Sequence, residues 1–189
     1  MKKLLGFSIF LVFVLIASLT AEAKVTLPAI FSDNMVLQQN TQVNVWGKAA
    51  PGEKVTVKAS WLDKAVTAKA AANGKWTVKL KTPKATTNQS VTVSGENEIT
   101  INNVLIGEVW LCTGQSNMEF PVSRHPDVKW NTGMLNEAEE LKDADYPEIR
   151  LFHVKHQLAH EGELDDCEGE WLVCNPKNLY DFSADRKSV

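Results

Sequence analysis

A β-sandwich followed by the start of an α/β domain is the architecture this sequence predicts, on three observations. Residues 25–105 alternate apolar and polar side chains in short runs split by turn residues, as half-buried strands require. After Ile106 the period changes to an apolar run, a helical stretch and a second apolar run. The charge changes sign at the same place, since residues 24–105 hold ten lysines against five acids and residues 106–189 hold eight basic residues against seventeen acids. The expected organisation is therefore a leader over 1–23, an all-β unit over 24–105, and the opening part of an α/β unit over 106–189.

The leader opens Met1-Lys2-Lys3, runs apolar from Leu4 to Leu19 and ends Ala21-Glu22-Ala23. This charged start, apolar middle and small-residue end predict a secretory signal cut after Ala23. The apolar run is short of the ~20 residues a membrane span prefers, and no later run rivals it. The mature chain is thus expected to be exported, periplasmic or extracellular, with no membrane span.

Seven strands are expected next, over Met35–Gln39, Gln42–Gly47, Lys54–Ser60, Lys64–Ala70, Lys75–Lys81, Gln89–Ser94 and Glu98–Asn102. Asn73-Gly74 predicts a tight primed hairpin turn, because both residue types accept positive φ. Pro51-Gly52 and Ser94-Gly95 punctuate other junctions. The lysines alternate with apolar residues and do not cluster, which argues against a nucleic-acid surface. Trp46 and Trp76 are expected to fill the sandwich core, whereas Trp61, beside Leu62-Asp63, is the better surface candidate for stacking on a sugar.

In the second half, Glu108–Thr113 predicts a buried strand, 134–143 a helix with an acid-rich start, and Ile149–Val154 another strand. That β-α-β order suggests the beginning of a parallel sheet. Of the cysteines, Cys112 is read as a small buried apolar residue, and Cys167 and Cys174 either pair across a short hairpin or stay free.

The chemistry concentrates in Gly114-Gln115-Ser116-Asn117-Met118, which follows that first apolar run. A serine at a strand-to-helix turn is exposed, and neighbouring backbone N–H groups can hold an oxyanion. Met118 stands where the Gly-x-Ser-x-Gly elbow has its last glycine, so the standard α/β-hydrolase pattern fits poorly. On local chemistry alone, an ordinary loop serine fits as well. His153, His156 and His160 are spaced like metal ligands on a helix, but the apolar residues around them favour a strand that splits them between faces, and no metal is expected. His125 reads as a surface loop residue. Arg124 and Arg150 are candidate clamps for a substrate carboxylate, with surface ion pairs as the plainer alternative.

The stretch Ile106–Phe120 resembles the nucleophile block of the sialate O-acetylesterases, relatives of the SGNH hydrolases. Leu27–Gln39 resembles the start of that family's mature chain, and Asp165-Asp166-Cys167 through Trp171 and Cys174 is similar as well. The resemblance implies an SGNH-like hydrolase domain with Ser116 as nucleophile, supported by Gly114, Gln115 and Asn117, and the backbone N–H of Ser116 as an oxyanion donor. It implies removal of O-acetyl groups from sialic acid or another acetylated glycan, through an acetyl-serine and without a cofactor. The family's histidine base and its orienting acid come from a late Asp-x-x-His, and no such string follows Ser116 here. With the polar turn at 183–189, this reads as a truncated, weakly active or inactive form. The rival expectation is a non-catalytic glycan-binding sandwich carrying a degenerate esterase remnant.

Overall fold

Alternating residues become seven strands in two facing sheets. The computed structural model describes residues 24–114, 118, 121–124, 133–155, 157–158, 162–180 and 182. The leader at 1–23 lies outside the described residues. The strands are β1 (Val36–Gln38), β2 (Gln42–Lys48), β3 (Lys54–Ala59), β4 (Val66–Lys69), β5 (Lys75–Lys81), β6 (Thr86–Ser94) and β7 (Glu98–Gly107). Each overlaps an expected strand. One sheet runs β1-β7-β6-β3-β4 and the other pairs β2 with β5. Between them, Val55 and Val57 of β3, Val91 and Val93 of β6, and Ile101 and Val104 of β7 meet Val45 of β2 and Trp76, Val78 and Leu80 of β5 in one core.

Two asparagines bend the larger sheet. From the pair Val91↔Ile101 to the pair Gln89↔Val104, β7 advances one residue more than β6, and from there to Thr86↔Ile106, β6 advances one more than β7. The surplus residues fall around Asn103 and Asn88, both at positive φ, a region that asparagine tolerates better than most residues. Asn103 donates from Nδ2 to Asn34 Oδ1 at 2.7 Å, tying the first bulge to the segment ahead of β1.

The Asn73-Gly74 turn is present but is not of the primed type, since only Gly74 has positive φ. It also does more than close a hairpin, because it carries the chain from β4 in one sheet to β5 in the other. A Cβ on Gly74 would stand 2.8 Å from the Ala49 carbonyl oxygen.

Beyond Gly107 the structure departs from expectation. Residues 108–113 form no strand, and Val109, Trp110 and Leu111 are exposed, Leu111 at 88%. With no neighbouring strand beside them among the described residues, their apolarity has nothing to pack against. Cys112 is correspondingly only half-buried. Helix α1 (Glu137–Lys142) and strand β8 (Tyr146–Phe152) form near their expected places, but β8 pairs antiparallel with β9 (Trp171–Cys174), and α2 (Pro176–Tyr180) follows. Among the described residues this half contains no parallel strand pair, so an SGNH-type α/β sheet is not what they form. Its own core is small: Val122, Ala144, Leu179 and Phe182, backed by Met134, Leu141 and Leu151. Cys167 and Cys174 are both free. Burial raises each thiol above its ordinary range, with Asp166 and Asp145 adding repulsion. Among the described residues no helix is long and apolar enough to cross a membrane.

The second half is docked on the sandwich by Trp171, which packs against the sandwich core, and by a few polar contacts. Trp171 Nε1 donates to the Ile30 carbonyl at 2.8 Å, and the Ala29 N–H donates to Asp166 Oδ1 at 3.0 Å. Asp165 bridges Lys48 of β2 at 3.0 Å and Lys75 of β5 at 2.5 Å.

Candidate active site

Strand β1 sets where the chain leaves the sandwich toward Ser116. Gln38 and Gln39 donate from their amide nitrogens to the two oxygens of Glu108, at 3.0 and 2.7 Å, while the Val109 N–H donates to Gln38 Oε1 at 2.9 Å. These hydrogen bonds hold the Glu108 carboxyl below its ordinary range, Gln38 contributing most. Sequence reasoning missed this clamp, although Gln38 and Gln39 closed the stretch that carried the resemblance.

A Cβ on Gly114 would stand 2.8 Å from Met118 Cγ, so glycine here leaves room for the Met118 side chain. Gln115, Ser116 and Asn117 lie outside the described residues. Past the loop, the Val122 N–H donates to the Phe182 carbonyl at 2.6 Å and the Ser123 N–H to the Tyr180 carbonyl at 3.2 Å, which fixes the outgoing chain on the small second core.

The remaining candidates are dispersed. Arg124 is exposed, with its backbone N–H donating to Glu137 Oε2 at 3.2 Å. Arg150 is not a free clamp: Nη1 donates to the Pro147 carbonyl of its own strand and Nη2 reaches Asn103 Oδ1 at 3.5 Å. Burial lowers its guanidinium pKa, and Glu148 partly offsets this. His153 is exposed after β8, its ring 6.1 Å from that of Phe182. His125, His156 and His160 lie outside the described residues. Among the described residues no group of three or more His, Cys, Asp or Glu side chains is placed to hold a metal.

The tryptophans are distributed differently from expectation. Trp76 is buried in the core, as its period requires, but Trp46 is 39% exposed. In β2 the inward positions are Val43, Val45 and Gly47, which puts Trp46 on the outer face. Trp61 packs against the core edge and donates from Nε1 to the Lys81 carbonyl at 2.9 Å.

No family model matches the chain. It is 31% identical to the sialate O-acetylesterase of Mus musculus over 150 residues, covering 73% of this chain. The sialate O-acetylesterase of Rattus norvegicus is also 31% identical, over 165 residues and 80% of this chain. The chain belongs, over this stretch, to the sialate O-acetylesterase family. It spans only 26% and 29% of those two relatives. A crystal structure of a carbohydrate acetylesterase from Xanthomonas citri superposes with a TM-score of 0.73 at 30% identity, covering 85% of this chain and 35% of that one.

Proposed function

We propose that the protein is an exported serine esterase that removes O-acetyl groups from sialic acid or a related glycan through an acetyl-Ser116 intermediate, without metal or organic cofactor. The observation that carries this reading is the family match across a stretch that includes Gly114-Gln115-Ser116-Asn117-Met118. Ser116 Oγ attacks the acetyl carbonyl carbon while a base takes its proton, and the backbone N–H of Ser116 holds the oxyanion that forms. The base returns that proton to the departing sugar oxygen, and water then releases acetate.

Residues 117–189 contain no Asp-x-x-His to supply that base. In the protease case, losing the histidine costs about 10⁶-fold in turnover, so these 189 residues alone are proposed to be a weak esterase. Release of acetate from O-acetylated sialic acid, compared between the protein and its Ser116→Ala variant, tests the reading. Abolished turnover is the expected result, and unchanged turnover would overturn it. A fluorophosphonate probe on the 189-residue chain should label Ser116 weakly, and strong labelling would reveal a base elsewhere in the chain. N-terminal sequencing of the exported product should begin at Lys24.

A further inference from the structure

The exposed face of Trp46 is not a stray apolar surface. It forms one wall of a cavity of about 310 Å³ where the second half meets the sandwich, with Pro28, Lys48, Lys75, Trp76 and Asp165 among the other walls. A second, more open cavity of about 490 Å³ adjoins it and shares Trp46, Pro28, Asp165 and Asp166. Phe31 packs edge-on against Trp46 at 4.6 Å between centroids, which fixes the plane of the indole. Trp76 is only 2% exposed, and its Nε1 has no hydrogen-bond partner.

The charges around the indole decide the class of ligand. Lys48 and Lys75 are both spent on Asp165, and Asp166 Oδ1 accepts from the Ala29 N–H at 3.0 Å and the Cys167 N–H at 2.8 Å. With Lys155 and Glu163 of the second cavity, the six charged side chains sum to zero, and Lys48 and Lys75 already face a carboxylate. An anionic ligand would meet Asp165 and Asp166 beside the two lysines and gain little from their charge, whereas a neutral polyol could lay its C–H face on Trp46 and hydrogen-bond to the ion-paired rim.

We propose that this groove is a binding subsite for a neutral sugar ring of a glycan, with Trp46 as the stacking platform. It does not rest on the esterase reading, because no described residue of the serine loop lines either cavity.

The test is titration of the purified full chain with lactose, xylotetraose, cellotetraose and 3′-sialyllactose, followed by calorimetry and tryptophan fluorescence. At least one neutral sugar should bind, and Trp46→Ala should weaken it by about tenfold or more while Trp61→Ala leaves it unchanged. Because Trp46→Ala also removes the Phe31 contact, a second measurement needs no variant: bound sugar should shield Trp46 from N-bromosuccinimide oxidation, located by mass spectrometry. The proposal is overturned if no neutral sugar binds at about 20 mM, if the bound sugar leaves Trp46 oxidation unchanged, or if 3′-sialyllactose binds about tenfold tighter than lactose. Binding that survives Ser116→Ala separates this subsite from the fate of the esterase assignment.

Discussion

The sandwich and the region after Gly107 spend their apolar residues in opposite ways. Among the described residues, seventeen side chains from six of the seven strands and the flanking segments share one buried cluster in the sandwich, with Val66 and Ala68 of β4 packed against it, while the second cluster gathers four. Meanwhile Val109, Trp110, Leu111, Leu135 and Leu158 face outward. Two facing sheets cover each other's apolar faces. A two-stranded ladder with two short helices has no second layer large enough to do so. Regular alternation of residues is therefore sufficient for burial only where the opposing layer is also present.

Limited proteolysis offers the largest test of that contrast. A fragment near residues 24–105 should survive while the remainder is cut, and a resistant fragment running through Tyr180 would break the comparison. Point changes sharpen it further. Leu80 is fully buried between the sheets, so Leu80→Ala should cost about 2–5 kcal/mol in urea unfolding. Leu179→Ala, in the small cluster, should leave that transition in place. Gly47→Ala tests the join between β2 and the entering chain, since a Cβ there would stand 2.2 Å from the Thr26 carbonyl oxygen. A loss of about 1–3 kcal/mol in the same unfolding experiment is expected.

The smallest effect belongs to Asp165. Hydrogen bonds from Lys75 and then Lys48 lower its folded pKa. Its contribution to docking is thus complete above the ordinary carboxylate range and is lost as pH falls through the lowered folded value. Asp165→Asn should make the second half easier to cleave at neutral pH, and the difference from the unmutated chain should shrink at low pH and in high salt.

What was legible in the sequence follows the same division. In β3 and β5, each apolar residue at alternate positions names its own face, and both strands lie where the pattern put them. The same rule, applied strictly, would have turned Trp46 outward, because Val45 and Gly47 already point in; its size suggested core and its position decided otherwise. Glu108–Thr113 failed for a different reason. An apolar run states what it needs to bury but not which strand supplies the cover, and none stands beside it among the described residues. Of the two readings for Cys167 and Cys174, pairing needed a hairpin turn between them, but Cys174 ends a strand whose partner is Tyr146–Phe152, and both are free. For the candidate site, Gly114, Gln115, Ser116 and Asn117 were named from their motif, and the last three lie outside the described residues. The Gln38–Glu108–Gln39 clamp was not, because it joins groups about seventy positions apart.

That long separation has a kinetic side. Val36 pairs with Leu105, so among the described residues the shortest strand of the larger sheet has one strand neighbour, the last strand of the sandwich. Until residue 107 is available, β1 has no ladder to join, and the chain must close a loop of nearly the whole sandwich to form it. Folding of this unit should accordingly be a slow and all-or-none event that waits for β7. A nascent chain stalled short of Val104 should remain protease-sensitive throughout.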